Sequence, residues 1–190
     1  MMVYRDFGDG YHGGLNDRCV TTAEVLRSAG YQTMLSGKWH VGHEPQSRPE
    51  LRGFDKFTGI YTHVDSYWKV LPGCEIYRDS ELFIGSDAVP TDPYAPDQEF
   101  HTTEFFTNVA LDYIDQACRE PDDPFYLHLC YNAPHFPLEA PDELIDKYRG
   151  RYRKGWDQLR AEKLERMQAM GIVSTSQTLP EAVGFDQEDR

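Results

Sequence analysis

The chain reads as an α/β fold, a mostly parallel sheet flanked by helices. A helix pattern followed by a strand pattern occurs twice, over 21–35 and again over 102–131. The second strand, Phe125-Tyr126-Leu127-His128-Leu129-Cys130-Tyr131, is apolar almost throughout, as strands buried on both faces of a parallel sheet are. Each strand then breaks into a Gly- or Pro-rich loop carrying a histidine. If both strands are parallel members of one sheet, those loops emerge at one edge, where open α/β sheets bind ligands.

The 190 residues suffice for one sizeable α/β domain or a large part of a bigger one. With 39% hydrophobic and 13% aromatic residues, a packed core is expected rather than disorder. The net charge of -13 argues against nonspecific nucleic-acid binding, and it means an anionic substrate needs local cations. No run approaches the roughly 18 apolar residues of a membrane span. Met1-Met2-Val3 opens into polar sequence with no signal-peptide pattern, which by itself reads as cytoplasmic. Cys19, Cys74, Cys118 and Cys130 form no Cys-x-x-Cys pair, so their spacing argues against a zinc or redox centre. They read as buried free thiols, with a disulfide left open.

Residues 1–20 are Gly-, Asp- and Tyr-rich and read as loop, in which Asp6, Asp9, His12 and Asp17 are solvated turn residues rather than metal ligands. Thr21 opens the first helix, with Glu24 three residues on as a capping box and Gly30 in the C-cap region. A strand over Tyr31 to Leu35 follows. Residues 43–100 are irregular: a turn at Arg52-Gly53-Phe54-Asp55 enters a short strand or loop, and Glu75 to Ile84 reads as a hairpin closed by Gly85. An excursion of this length usually lines a site. Tyr61, His63, Tyr67 and Trp68 are its candidate substrate contacts, although an aromatic cluster is more often packing.

The second helix starts at Thr102 or Thr103. Phe106, Val109, Ala110, Tyr113, Ile114 and Ala117 make one apolar stripe, and the Glu120 to Pro124 turn ends it. Within the following strand, His128 reads as a core or sheet-face histidine. Pro141 opens a short acidic-first helix that stops at Gly150. Arg151 to Met170 forms a charged helix with an apolar line through Trp156, Leu159, Met167 and Met170. Residues 172–190 read as loop or disordered tail.

The chemistry concentrates in Ser36-Gly37-Lys38-Trp39-His40-Val41-Gly42. Two glycines let the backbone approach a ligand closely, Lys38 supplies a fixed cation, and His40 exchanges protons near neutral pH. Such a set suits an oxyanion held beside a proton-transfer step. His135, in Asn132-Ala133-Pro134-His135-Phe136-Pro137, is the second candidate. A metal site built from His40, His43, His63 and His135 lacks the short ligand spacing of structural zinc sites.

With these segments, the chain resembles the sulfatase family of the alkaline phosphatase superfamily. The resemblance runs over residues 15–171: Leu15-Asn16-Asp17-Arg18-Cys19-Val20-Thr21, the Gly-Lys-Trp-His block, Gly53-Phe54-Asp55, the Ala-Pro-His block and the Lys147-to-Tyr152 and Gly155-Trp156-Asp157 pieces. It implies a partial alkaline-phosphatase-like sandwich, with residues 1–190 part of a single catalytic domain. It implies hydrolysis of a small-molecule or glycan sulfate ester. Lys38 would bind the sulfate and the nucleophilic side chain, and His40 would hydrogen-bond the nucleophile and help break down the covalent sulfate intermediate. His135 would contact the sulfate and protonate the leaving oxygen. The family's formylglycine motif, Cys/Ser-x-Pro-x-Arg, has no match here, nor do its calcium-binding aspartates, its Asp-Asn pair or its second sulfate-binding lysine. Calcium is thus expected for a full-length member, with no metal ligand identified in this chain. The expectation is an internal piece of a longer, usually exported enzyme, without meaningful turnover of its own. A phosphoesterase or phosphonate hydrolase of the same fold and a noncatalytic fragment are the alternatives.

Overall fold

The computed structural model describes residues 13–85, 100–119 and 123–180. Thr22–Ser28 forms α1, and the predicted capping box is present: Glu24 N donates to Thr21 Oγ1 at 3.0 Å while Thr21 N donates to Glu24 Oε2 at 2.6 Å. Gly30 follows with φ +88, the left-handed conformation that stops a helix cheaply only at glycine. Strand β1 is Gln32–Lys38, β2 Lys56–Ile60, β3 Ile76–Arg78, β4 Glu81–Ile84 and β5 Phe125–Cys130; helix α2 is Thr102–Ala117. The sheet order is β4-β3-β2-β1-β5. β1 pairs in parallel with both β2 and β5, and the β3–β4 hairpin extends the sheet antiparallel to β2.

β1 sits between two apolar layers because its side chains alternate. Leu35 joins Ala23 of α1, Phe54, Phe57 and Tyr61 on one face, and Met34 joins Val109, Tyr113 and Ala117 of α2 on the other. A third cluster, Ile60, Val64, Ile76 and Phe106, lies under the β2–β3 connection. Polar side chains fix the layers: Ser36 Oγ donates to the Phe106 carbonyl at 2.8 Å, and Thr58 Oγ1 and Tyr113 Oη lie 2.7 Å apart. Arg52, 5% exposed overall, pairs with Glu24 at 2.9 Å and donates to the Cys19 carbonyl, tying the 16–19 loop to α1.

Several expectations are corrected. β1 runs on to Lys38, three residues past Leu35, because Gly37 and Gly59 face each other in register and let the parallel ladder continue. β5 ends the sheet order among the described residues, so Phe125 and His128 are exposed and its apolar composition does not reflect burial on both faces. The hairpin turns at Asp79-Ser80, both with positive φ, and not at Gly85. All four cysteines are free, but Cys19 and Cys118 are exposed and only Cys74 is fully buried.

Residues 140–190 form a second compact unit with α3, Asp142–Tyr148, and α4, Trp156–Ala169. Gly155, with φ +80, delays α4 by five residues from its predicted start at Arg151. Trp156 is 87% exposed, so the anticipated apolar line does not form a buried stripe within this unit. Residues 172–180 carry no helix or strand. Asp6, Asp9, His12, part of the 120–124 turn and residues 181–190 lie outside the described residues, and no described helix is long and apolar enough to cross a membrane.

Candidate active site

Three adjacent parallel strands, β2, β1 and β5, deliver their following segments to one sheet edge. Lys38 is the last residue of β1, paired in register with Ile60 at the end of β2. Gly37 pairs with Cys130 at the end of β5. The backbone of β1 stays tied to β2 past the strand end, Trp39 N donating to the Ile60 carbonyl and His40 N to the Tyr61 carbonyl, each at 2.9 Å.

Trp39 anchors the loop rather than facing solvent. Its Nε1 donates to the Ser47 carbonyl at 2.8 Å and its ring meets Phe54 edge-on at 5.8 Å. His40, next in sequence, is held at φ +53, a region that costs a non-glycine residue about 1–3 kcal/mol. Gly42 closes the loop at φ +138, where an added Cβ would come within 2.2 Å of Ser47 Cβ.

The electrostatics couple the loops that follow these strands. Burial lowers the His40 pKa from its ordinary value of 6.5, and the positive charges of Lys38, His63 and His135 push it the same way. His40 is thus coupled to Lys38 at the end of β1, to His63 after β2 and to His135 after β5. Burial also lowers Lys38 from 10.5. An imidazole whose proton affinity is lowered by burial and by the neighbouring Lys38 ammonium is suited to passing a proton on beside a bound anion.

His135 stands on a loop braced from beneath. Its N–H donates to the Asn132 carbonyl at 3.0 Å, its Nδ1 lies 2.7 Å from the Phe136 carbonyl, and its ring stacks on Phe136 at 4.6 Å. The buried Tyr67 hydroxyl donates to the His135 carbonyl at 2.8 Å and accepts from Asn132 Nδ2 at 3.2 Å. Glu139 accepts from Tyr67 N at 2.6 Å and from Ser66 Oγ at 3.1 Å. Tyr67, singled out in the sequence as a candidate contact, is therefore packing that positions the loop.

The family model described as Sulfatase spans residues 4–180, nearly the whole chain. The chain belongs to the sulfatase family. An uncharacterized sulfatase of Schizosaccharomyces pombe is 33% identical over 169 residues, covering 86% of this chain and 30% of the relative. The arylsulfatase of Klebsiella aerogenes is 30% identical, with 90% of this chain and 36% of the enzyme aligned. Human N-acetylgalactosamine-6-sulfatase is 34% identical over 74% of the chain and 27% of its own length. Among solved structures, Ps i-CgsB in complex with k-i-k-neocarrahexaose superimposes with TM-score 0.53 at 25% identity, over 66% of this chain and 29% of that one. The chain thus spans about a third of the length of these sulfatases, and its fold is part of the alkaline-phosphatase-like architecture.

The calcium that the family resemblance implies can be tested against the side chains present. Ca²⁺ takes roughly six to eight oxygen ligands. Among the described residues, the group of three or more His, Cys, Asp or Glu close enough to hold a cation is His63, Asp65 and Cys74. One carboxylate, one imidazole and one thiol do not fit calcium, and no step below is routed through a metal.

His63 is the functional candidate that sequence reasoning underweighted. In the sequence it stands only among the aromatics of the long excursion and in the four-histidine metal alternative; its position after β2 couples it to His40.

Proposed function

We propose that this chain carries the sulfate-binding and proton-transfer half of a sulfatase active site, acting on a small-molecule or glycan sulfate ester. The observation that supports this reading is the field at His40, to which residues following three neighbouring parallel strands contribute. Lys38 holds the sulfuryl oxygens and offsets the negative charge that develops on them, a stabilisation that grows where water is excluded. His40, kept neutral near pH 7, accepts a proton from the attacking group and returns it as the sulfate is released. His135, on the opposing loop, protonates the departing alkoxide or phenoxide oxygen. With a net charge of -13 over the chain, these local cations are what make the site attractive to an anionic substrate. The family's formylglycine nucleophile matches no motif in this chain, so the attacking group itself is not assigned to a residue.

The test compares an aryl sulfate with the matching aryl phosphate monoester, using the full-length gene product. The reading expects the sulfate to be the better substrate by kcat/KM, and Lys38→Ala to reduce that value by about 100-fold or more, the usual scale for removing one group that stabilises developing charge. Preference for the phosphate would redirect the assignment to a phosphoesterase of the same fold. Activity on neither ester would leave the chain a noncatalytic relative.

A further inference from the structure

The β2–β3 connection holds a second cluster, which shares His63 with the field at His40 but whose Asp65 and Cys74 the sulfate-ester chemistry does not use. His63 Nε2 lies 3.3 Å from Asp65 Oδ1, and the Cys74 thiol donates to Asp65 Oδ2 at 3.6 Å. One ligand atom from each residue falls within 4.8 Å of the other two. A tetrahedral zinc site, with bonds of about 2.0 Å to nitrogen and oxygen and about 2.3 Å to sulfur, separates neighbouring ligand atoms by roughly 3.3–3.7 Å. The two contacts run to different oxygens of Asp65, and with one oxygen taken from the carboxylate the three ligand atoms lie within 4.8 Å of one another, so binding draws them together toward such edges.

We propose that His63, Asp65 and Cys74 form a three-ligand site for a borderline-soft divalent cation of the Zn²⁺ type, with water in the fourth position. The donor set decides the class: a thiolate and an imidazole select zinc-like ions over magnesium or calcium, which prefer oxygen throughout. The backbone holds the set ready. Val64, 3% exposed, packs into the core between His63 and Asp65, so the two ligands leave the chain at alternate positions around a fixed anchor. Cys74 is also 3% exposed, and its N–H donates to the Leu71 carbonyl at 3.0 Å, closing a turn just after Gly73 at φ +84. Burial pushes the Cys74 thiol up to about 11, so the sulfur keeps its proton until a cation displaces it. Binding forms the metal–sulfur, metal–nitrogen and metal–oxygen bonds and releases that one proton to water. Thiolate and carboxylate then cancel the two charges of the cation, which lets the ion sit partly buried without a net charge. Cysteine spacing alone gave no hint of this, because His-x-Asp and Cys74 are brought together by the return of the chain toward β3. The proposal does not rest on the sulfate-ester reading, although the two share His63.

The test is titration of the metal-free, full-length protein with Co²⁺, following the thiolate-to-cobalt charge-transfer absorption in the near ultraviolet. The expected result is a band that saturates at one Co²⁺ per chain, is abolished by Zn²⁺ and is lost in Cys74→Ser. His63→Gln and Asp65→Asn, at solvent-accessible positions, should each weaken Co²⁺ affinity by about tenfold or more while leaving the circular dichroism unchanged. These two variants keep the test decisive if Cys74→Ser folds poorly. Cys19→Ser and Cys118→Ser, which alter exposed thiols outside the cluster, should leave the band intact. No saturable band, a band that survives Cys74→Ser, or affinity unmoved in both His63→Gln and Asp65→Asn would overturn the proposal.

Discussion

Replacing Gly37 by alanine tests whether the close approach of three strands builds the site edge. Gly37 has φ +114, and a Cβ added there would fall 1.9 Å from the Cys130 carbonyl oxygen and 2.7 Å from its carbon. Both are backbone atoms of β5, which cannot rotate aside as a side chain would. On the other flank, a Cβ on Gly59 would fall 1.8 Å from the Gly37 carbonyl oxygen, so β1 has no room to retreat toward β2. The left-handed backbone costs alanine about 1–2 kcal/mol. Opening the β1–β5 ladder at its C-terminal end forfeits one or two hydrogen bonds at about 1 kcal/mol each. The sum, about 2–4 kcal/mol, is a large part of the roughly 5–15 kcal/mol by which domains are stable. With an m-value of about 2 kcal/mol/M, the urea midpoint should fall by about 1–2 M. Gly73→Ala is the control: its φ of +84 is also strained, but nothing lies within 4 Å of the added carbon, so only the backbone cost of about 1–2 kcal/mol remains. Gly37→Ala should also lower kcat/KM, since Lys38 is the next residue. A Gly37→Ala midpoint no lower than that of Gly73→Ala would refute the argument from strand spacing.

Other outcomes follow from the same contacts. Tyr67→Phe removes the hydroxyl that braces the His135 carbonyl and Asn132, and should cost about 1–2 kcal/mol in urea unfolding while lowering kcat more than it raises KM. Arg52→Ala leaves Glu24 without its buried partner and the Cys19 carbonyl without its donor; about 3–5 kcal/mol should be lost, read as a fall in thermal midpoint. Thr21→Ala breaks the capping box and the hydroxyl bond to the Arg52 carbonyl, and about 1 kcal/mol should disappear from the same measurement. Burial and the charges of Lys38, His63 and His135 hold His40 below 6.5, so between that depressed value and 6.5 the folded chain binds fewer protons than the unfolded chain. The His40 contribution to stability therefore weakens as pH falls below about 6.5, and the acid limb of kcat/KM assigned to His40 should have its midpoint below that value. A midpoint above 6.5 that vanishes in His40→Asn would contradict this sign.

Local chemistry made much of the fold legible. The Thr21–Glu24 capping box and the α2 stripe depend on residues within a turn or two of one another, and both formed as spacing predicts. The place of β5 at the end of the sheet order among the described residues depends on which strand lies beside it, and an apolar run cannot specify a neighbour. The extension of β1 through Lys38 required Gly59, more than twenty residues away, to make space for Gly37. In the proposed site, Lys38, His40 and His135 stand in short blocks at or after strand ends, which is what makes them legible in the sequence. His63 was not, because its relation to His40 arises only when β2 aligns beside β1. Tyr67 looked like a ligand contact from its aromaticity, yet its hydroxyl is consumed in bracing the His135 loop.

The central claim is that the loops after β1 and β5 grip one sulfuryl group, and a double-substitution cycle on aryl sulfate hydrolysis tests it most directly. Lys38→Ala and His135→Ala should each lower kcat/KM by about 100-fold or more, and the double variant should lose far less than the product of the two, because groups acting on one transition state are not additive. Rates like wild type in either single variant, or losses that simply multiply, would contradict a shared site.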